Sequence, residues 1–447
     1  MGNNMPKTWI NYLQMFGDVL ILNAAVALAF TLRRDWIYFL ANTELHIAAL
    51  IAFSLLTIFI FNFYGLYNTA NKDWTDILSA VFISLVFFSF GVAAITYVIP
   101  SYIFPRRVLF TFELIYGPAV ALWRCLLLMI EHRLTPAQKV IIAAKPEEIP
   151  TLAGKLNGHH ILLGVITEQS FREAAYPNLG TYTEAEEILT ACRPDIVLIS
   201  GNLPEEIKSK IALLGLTFPC TLYIVPNLYE IMVGQSALDQ FQDTPVYQIR
   251  LNHHPGRAQI KRVIDCLVAV VILILTLPIT LLAAAAIKLT SPGPVFYVQE
   301  RVGRNHRRFM LYKFRTMVHN AEAATGPVLA KRNDSRITKV GRFLRATRID
   351  ELPQLLNVLK GDMSIVGPRP ERPVFVERYQ KEVPGYTYRH TIDAGITGLA
   401  QVAGKYSTSP EDKLRYDLLY AKGCSPLFDL RIMLQTLKVI LLKDKAS

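Results

Sequence analysis

Residues Ile260–Thr290, IKRVIDCLVAVVILILTLPITLLAAAAIKLT, decide how this chain is laid out. The apolar part is long enough to span a bilayer, and on hydropathy alone it reads as a crossing. A crossing would put the parts before and after it on opposite sides of the membrane. Pro278, near its centre, has no N–H to give to the preceding turn, and its ring crowds the carbonyl four residues back, so a bend is expected there. A helix that enters, bends at Pro278 and leaves on the same side would keep both flanking parts together, with Lys261, Arg262 and Lys288 at the headgroups.

Four further apolar segments of spanning length open the chain, Tyr12–Leu32, Ile47–Tyr67, Ile77–Ile99 and Val108–Ile130. They are expected to form a four-helix transmembrane domain over residues 1–135. Ala25-Val26-Ala27 could mimic a cleavage site, but three more apolar segments follow, which favours an uncleaved first span. Gln14, Asp18 and Asn23 in the first segment, and Glu113 and Arg124 in the fourth, are expected to face neighbouring helices. Arg33-Arg34 and Arg106-Arg107 fall on one side, opposite Lys7, Lys72, Arg133 and Lys139, so loop charge alone does not orient the bundle.

Between the bundle and the bent segment, residues 136–250 change pattern. The β-rich runs KVIIAA, ILLGVI, DIVLIS and TLYIV alternate with the helical runs EEIPTLAGKL, TEAEEILTAC and EEIKSKIALL. That alternation predicts a Rossmann-like α/β domain with a parallel sheet. The first strand-to-helix turn, Ala143-Ala144-Lys145-Pro146-Glu147-Glu148, has no glycine to admit a pyrophosphate and carries two acids where phosphate would sit, which argues against nucleotide binding there. A structural, regulatory or oligomer-forming role is expected.

Composition separates the two ends. The chain is 447 residues long and 52% hydrophobic, as a membrane protein with a large core would be. From Leu251 onward there are 31 Lys and Arg against 16 Asp and Glu, whereas the first 250 residues hold 16 against 20. The basic C-terminal part suits phosphorylated substrates or anionic headgroups, and it places the C-terminus on the cytoplasmic side; no run resembles a nucleic-acid arm. Cys125, Cys192, Cys220, Cys266 and Cys424 form no CxxC and have no histidine at metal spacing, so neither a disulfide framework nor a zinc site is indicated.

Past the bent segment, Ser291-Pro292-Gly293-Pro294 stops the helix. VFYVQERVGRNHRRFMLYKFRTM then reads as two strands round Gly303-Arg304-Asn305. Such a hairpin would bring Arg301, Lys313 and Arg315 near one another as candidate phosphate-binding groups. Beyond it lies Gly341–Pro370, GRFLRATRIDELPQLLNVLKGDMSIVGPRP, with Asp350 and Glu351 read as lying on a helix between Arg345 and Arg348 and the Pro368-Arg369-Pro370 turn. Arginine forks match phosphoryl oxygens, while carboxylates repel phosphate unless a metal stands between them or one attacks the phosphorus. Charged pairs on a solvated helix are also routine.

KFRTM, the Gly341–Pro370 block and GITGLAQVAG at residues 395–404 resemble the signature blocks of bacterial sugar transferases, the large monotopic phosphoglycosyl transferases that act on polyprenyl phosphate. The resemblance runs from about Ile260 to the C-terminus, and the four spans and the α/β domain resemble the long members of that family with weaker signatures. It implies a C-terminal α+β catalytic domain over residues 251–447 with a re-entrant helix at about 260–290. This chain has Leu277-Pro278 where smaller relatives have Ser-Pro. The implied reaction moves a sugar phosphate from a UDP-hexose, glucose or galactose in common long members, to undecaprenyl phosphate, releasing UMP.

By the family's mechanism Asp350 would attack the phosphorus and Glu351 would hold Mg²⁺, with Asp350 nearby. Arg345, Lys313 and Arg369 match functional positions of the family, Arg345 a phosphate-binding one. The implied setting is the bacterial inner membrane, multi-pass, with soluble domains facing the cytoplasm, and four membrane helices with a ligand-free middle domain suggest a homodimer. Asp362 is expected to serve a structural turn, Gly395–Gly398 to wall the site, and Pro426–Leu442 to pack in the core or lie at the interface ahead of Lys443 and Lys445. The competing readings are a metal-dependent glycosyltransferase that would release UDP, for which no Asp-x-Asp follows a strand, and a non-catalytic membrane scaffold.

Overall fold

A computed structural model describes residues 7–41, 43–67, 74–98, 105–134, 137–156, 160–168, 176–234, 236–248, 255–318, 321, 334–404 and 408–441. Lys72, Lys443 and Lys445 lie outside them. The chain divides into two compact units, one of residues 1–199 with 203–223, the other of residues 200–202 with 224–447.

The first unit opens with helices α1 (Lys7–Arg33), α2 (Trp36–Ala41), α3 (Thr43–Phe63), α4 (Trp74–Val98) and α5 (Arg106–Leu134). All but the short α2 contain a stretch long and apolar enough to cross a membrane. The polar residues of the first and fourth apolar segments meet inside: Arg124 on α5 ion-pairs with Asp18 on α1, donates to Gln14 Oε1 at 3.2 Å and to the Leu66 carbonyl at 2.9 Å, and lies over the Tyr67 ring. Both charges are buried, as a lipid-facing surface requires. Glu113 accepts from Ser89 on α4, and Asn23 lies 3.3 Å from Ser54 on α3.

The strands that follow are β1 (Gln138–Ala143), β2 (His160–Thr167), β3 (Asn178–Thr181), β4 (Ile196–Ser200) and β5 (Thr221–Val225), in the sheet order β3-β2-β1-β4-β5. β1 runs parallel to β2 and β4, and β2 to β3. The alternating helices are α6 (Ile149–Ala153), α7 (Ala185–Cys192) and α8 (Glu205–Thr217). β3 escaped the sequence reading because NLGT is four residues long and lacks a β-branched run. Glu147 and Glu148 lie in a 3₁₀ turn at the end of β1, with Glu147 exposed.

In the second unit α9 (Leu228–Val233) is closed at its start by a reciprocal cap between Asn227 and Glu230, and the hairpin β6 (Ala237–Phe241) and β7 (Thr244–Gln248) follows. The apolar segment is one continuous helix, α10 (Pro255–Thr290), with Pro278 inside it. Its N-terminal arm packs Val268, Ala269, Ile272 and Leu273 into the core of the unit, and Arg262 donates to the Leu359 carbonyl at 2.9 Å. Its C-terminal arm packs Ala283 and Ile287 against Phe314 and Leu344 of the same unit. Between these arms Ile274, Leu275, Leu277, Leu281 and Leu282 are exposed.

The remaining elements are β8 (Phe296–Val302), β9 (Arg308–Phe314), α11 (Lys339–Ala346), α12 (Gln354–Lys360), β10 (Ser364–Val366), α13 (Pro373–Glu382), β11 (Gly395–Thr397), α14 (Leu399–Ala403), α15 (Pro410–Gly423) and α16 (Pro426–Leu441). β8 and β9 form the antiparallel hairpin, turned through Asn305 and His306, both at positive φ. On α16, Ile432, Val439 and Asp429 are buried while Leu427 is exposed, the profile of a helix with one face in the core. Asp429 accepts from Lys261 on α10 and from Tyr420 on α15, tying three helices together.

Candidate active site

The site is assembled on the hairpin and the stretch from α11 to β11. Thr338 caps α11 by accepting from the Gly341 N–H at 2.9 Å. A Cβ at Gly341 would stand 2.0 Å from the Thr316 carbonyl oxygen, so only glycine lets α11 lie flush on KFRTM. The expected continuous helix through Asp350 is interrupted. Thr347 ends α11, Arg348 takes a left-handed conformation at φ 58°, and Ile349–Glu351 form a separate 3₁₀ turn before α12. Pro353, with no N–H to donate, marks the restart. Asp350 and Glu351 therefore sit at a corner between two helices, both buried.

Glu351 is the electrostatic hub. Its Oε1 lies 3.0 Å from Lys313 Nζ at the end of β9, 2.7 Å from Arg369 Nη2 in the Pro-Arg-Pro turn and 3.8 Å from Arg348 Nη1. Burial by itself would raise this carboxyl, but the charges of Arg369 and Lys313 outweigh it and hold Glu351 well below the usual carboxylate range. Asp350 is the opposite case. Burial, followed by the charge of Glu351, pushes its carboxyl up to about 6 against the pull of Lys313, Arg345 and Arg348. Its Oδ1 is buried and accepts no hydrogen bond among the described residues. Two adjacent acids thus have their proton affinities driven apart, the arrangement by which acid sites divide roles.

The expected basic residues differ in their partners. Lys313 and Arg369 meet at Glu351, and Arg345 stands beside them, donating through Nε to Thr316 Oγ1 at 2.8 Å. Arg301 shares a face of the hairpin with Lys313, four positions along β8 from Tyr297, with which Lys313 pairs. It donates to the Pro370 carbonyl at 3.0 Å and lies 3.6 Å from Glu371. Arg315, past the end of β9, is buried and donates to the carbonyl and hydroxyl of Ser291 at 2.9 and 2.7 Å, which joins KFRTM to the end of α10.

Residues that sequence reasoning passed over hold this geometry. Asn357, fully buried on α12, donates to the Met310 carbonyl at 2.7 Å and accepts from the Tyr312 N–H at 3.0 Å, stapling α12 to β9 and so setting Lys313 against Glu351. An amide among the apolar positions of QLLNVLK was the available signal. Asp362 lies 3.2 Å from Asn357 in the turn after Gly361, which takes φ 89°. β10 and β11 pair in parallel just before the Pro-Arg-Pro turn, so closely that a Cβ on Gly395 would lie 2.1 Å from the Gly367 nitrogen.

Comparison with known proteins bears on residues 256–443, which match the bacterial sugar transferase family. A UDP-glucose:undecaprenyl-phosphate glucose-1-phosphate transferase of Caulobacter vibrioides is 44% identical over 191 residues, which are 42% of this chain and 71% of that protein. The chain belongs to the bacterial sugar transferase family. Similarity extends to a UDP-N-acetylgalactosamine-undecaprenyl-phosphate N-acetylgalactosaminephosphotransferase of Aeromonas hydrophila, 41% identical over 49% of this chain and 52% of the relative. A UDP-glucose:undecaprenyl-phosphate glucose-1-phosphate transferase of Klebsiella pneumoniae is 38% identical over 54% and 53%. The match therefore spans about half the length of these two longer relatives. The whole constellation described above, from Arg301 to Arg369, falls inside the segment shared with the family.

Proposed function

We propose that this chain transfers a hexose 1-phosphate from a UDP-hexose to undecaprenyl phosphate, releasing UMP and initiating a lipid-linked polysaccharide. The names of its relatives support that reaction class. The observation that carries the reading is the unequal acid pair: Glu351 is held ionised by Lys313 and Arg369, while Asp350 Oδ1 is buried and has no donor among the described residues. An Asp350 carboxylate oxygen attacks the phosphorus that bears the sugar. The bond from that phosphorus to the oxygen bridging it to the uridine-bearing phosphate breaks, and UMP leaves with that oxygen. A phosphate oxygen of undecaprenyl phosphate then attacks the same phosphorus, the bond to Asp350 breaks, and the carboxylate is restored. Lys313, Arg345 and Arg369 orient the phosphoryl oxygens and offset their charge.

Glu351, with Asp350, is proposed to hold Mg²⁺. No third His, Cys, Asp or Glu joins the pair among the described residues, which suits an ion that takes one or two carboxylates and completes its shell with water and substrate phosphate. When bound, it would neutralise diphosphate charge so that a carboxylate can approach.

The lipid substrate requires the site to lie at headgroup height on the cytoplasmic side of a bacterial inner membrane, and a re-entrant α10 would place it there. One feature supports that arrangement: the two arms of α10 on either side of Pro278 both pack on the same unit. Single cysteines on either side of residues 260–290, labelled in intact cells, should have the same sidedness; opposite sidedness would rule out re-entry.

The reaction is tested with purified protein, Mg²⁺, undecaprenyl phosphate and a panel of UDP-glucose, UDP-galactose and UDP-N-acetylgalactosamine, scored for nucleotide. UMP is expected. UDP in its place would favour a glycosyltransferase, and no nucleotide product from the whole panel would favour a scaffold.

A further inference from the structure

The turn that carries Arg369 is gripped carbonyl by carbonyl. The Gly395 N–H donates to the Pro368 oxygen at 2.9 Å, Arg389 Nη2 to the Arg369 oxygen at 2.9 Å, Arg301 Nη1 to the Pro370 oxygen at 3.0 Å, and the Val302 N–H to the Glu371 oxygen at 3.0 Å. Among these donors Arg389 is the hardest to explain by stability. Its side chain is 4% exposed and lies 2.8 Å from Asp417, 2% exposed, on α15, and it also donates to the Tyr386 hydroxyl. A buried ion pair is often no more stabilising than apolar residues of the same volume. What an apolar pair could not do is hold the Arg369 carbonyl.

We propose that Arg389 is a positioning residue: Asp417 and Tyr386 fix its guanidinium, it fixes the Arg369 carbonyl, and the Arg369 side chain is thereby aimed at Glu351 and at the substrate phosphate. It touches neither substrate nor reacting atoms. The proposal rests on the reading above that Arg369 serves a phosphate site. A local frame supports the pair. Gly385, at φ 76°, starts the 3₁₀ turn that presents Arg389, and α15 is braced from behind by α9, whose Ile231 is buried in one cluster with Leu414 and Leu418 on either side of Asp417. Arg415 donates to the Pro226 carbonyl at 3.0 Å and Lys422 to Ser236 Oγ at 3.1 Å, securing the same contact. Arg389 and Arg369 are 20 residues apart, and Arg389 and Asp417 28 apart, so no local pattern in the chain marks the relay.

The test is a double-mutant cycle on the full chain in lipid nanodiscs. Arg389→Lys keeps the charge and shortens the reach; the paired change Arg389→Met with Asp417→Leu removes both buried charges and so keeps the fold without an orphaned ion. Each is made with and without Arg369→Ala. Two quantities are read: kcat and KM for the UDP-sugar from UMP release, and the Kd of inorganic diphosphate by calorimetry. With Arg369 present, both changes should weaken diphosphate binding and lower kcat/KM by about tenfold or more, as a displaced binding group does. In the Arg369→Ala background the further loss should be under about twofold, because the group being positioned is gone. An equal loss in both backgrounds, or no loss in either, overturns the proposal. If wild-type protein releases no UMP with any sugar, the functional reading falls, while the diphosphate cycle, which needs no turnover, still decides the positioning role. A wild type that does not bind diphosphate overturns it as well.

Discussion

Two adjacent acid pairs in this chain adopt the same local structure and have opposite surroundings. Glu147-Glu148 closes β1 and Asp350-Glu351 precedes α12, and each lies in a three-residue 3₁₀ turn. The first pair sits after Pro146 with Glu147 open to solvent. The second is buried, with Lys313 and Arg369 on Glu351 and, among the described residues, no hydrogen bond to Asp350 Oδ1. Acidity in a turn is therefore not the chemistry. What sets the second pair apart is burial that raises one acid and converging cations that hold the other ionised.

The largest expected contrast is between Asp350→Asn and the double change Glu147→Gln, Glu148→Gln. Asp350→Asn should cut UMP release by about 10⁴-fold or more and abolish any trapped sugar-phosphate adduct, in line with loss of a covalent nucleophile. Near-normal turnover would remove Asp350 from that role. Next comes Arg369→Ala, expected to lower kcat/KM by about 10²–10³-fold, the usual cost of losing one preorganised charge partner in a site. Gly367→Ala tests the turn beneath it: the added Cβ would meet the Asp393 oxygen at 2.2 Å. Overpacking of this kind costs about 1–3 kcal/mol and should appear as a lower melting temperature together with reduced activity.

A pH series sharpens the comparison further. With Asp350 raised to about 6, kcat/KM should fall as the pH drops through about 6, well above the range of an ordinary aspartate. Because Glu351 is one of the causes of that rise, Glu351→Gln should move the acid limb to lower pH. The sign for stability is the reverse of that for activity. A carboxyl whose folded pKa is raised favours the fold while protonated, below its unfolded pKa, and that contribution is lost as the pH rises through about 6. Asp350→Asn should therefore be more stable than wild type at pH 7.5, by about 1–3 kcal/mol, read from thermal melts. An unchanged melt across pH 5–8 would contradict the raised carboxyl. The smallest effect is assigned to the Glu147, Glu148 double change, which should leave turnover within about twofold, because Glu147 is exposed and Glu148 only half-buried.

Much of the frame was legible because its signals are local. β-branched runs marked β1, β2, β4 and β5, the Gly303-Arg304-Asn305 turn marked the hairpin, and unbroken apolar stretches marked the long helices. The failures were local conflicts settled from outside. RATRIDELPQ reads as helix, yet Arg348 turns left-handed and Pro353 restarts the helix, which swings Asp350 and Glu351 inward. Arg301 donates to the Pro370 carbonyl and Arg315 to Ser291, contacts between residues 69 and 24 apart that no local pattern announces.

By itself, then, the sequence determined the apolar segments, the alternating α/β stretch, the basic C-terminal half, and the blocks that place the chain among bacterial sugar transferases, since each depends only on neighbours along the chain. The tertiary structure decided the rest: that Lys313 and Arg369, 38 and 18 residues from Glu351, converge on one of its oxygens, and that Asp350 Oδ1 beside it is buried without a donor among the described residues. It also decided that both arms of α10 pack on one unit. The reason is physical. Proton affinity and charge balance depend on distance and burial, and neither is a property of the order of residues until the chain has folded.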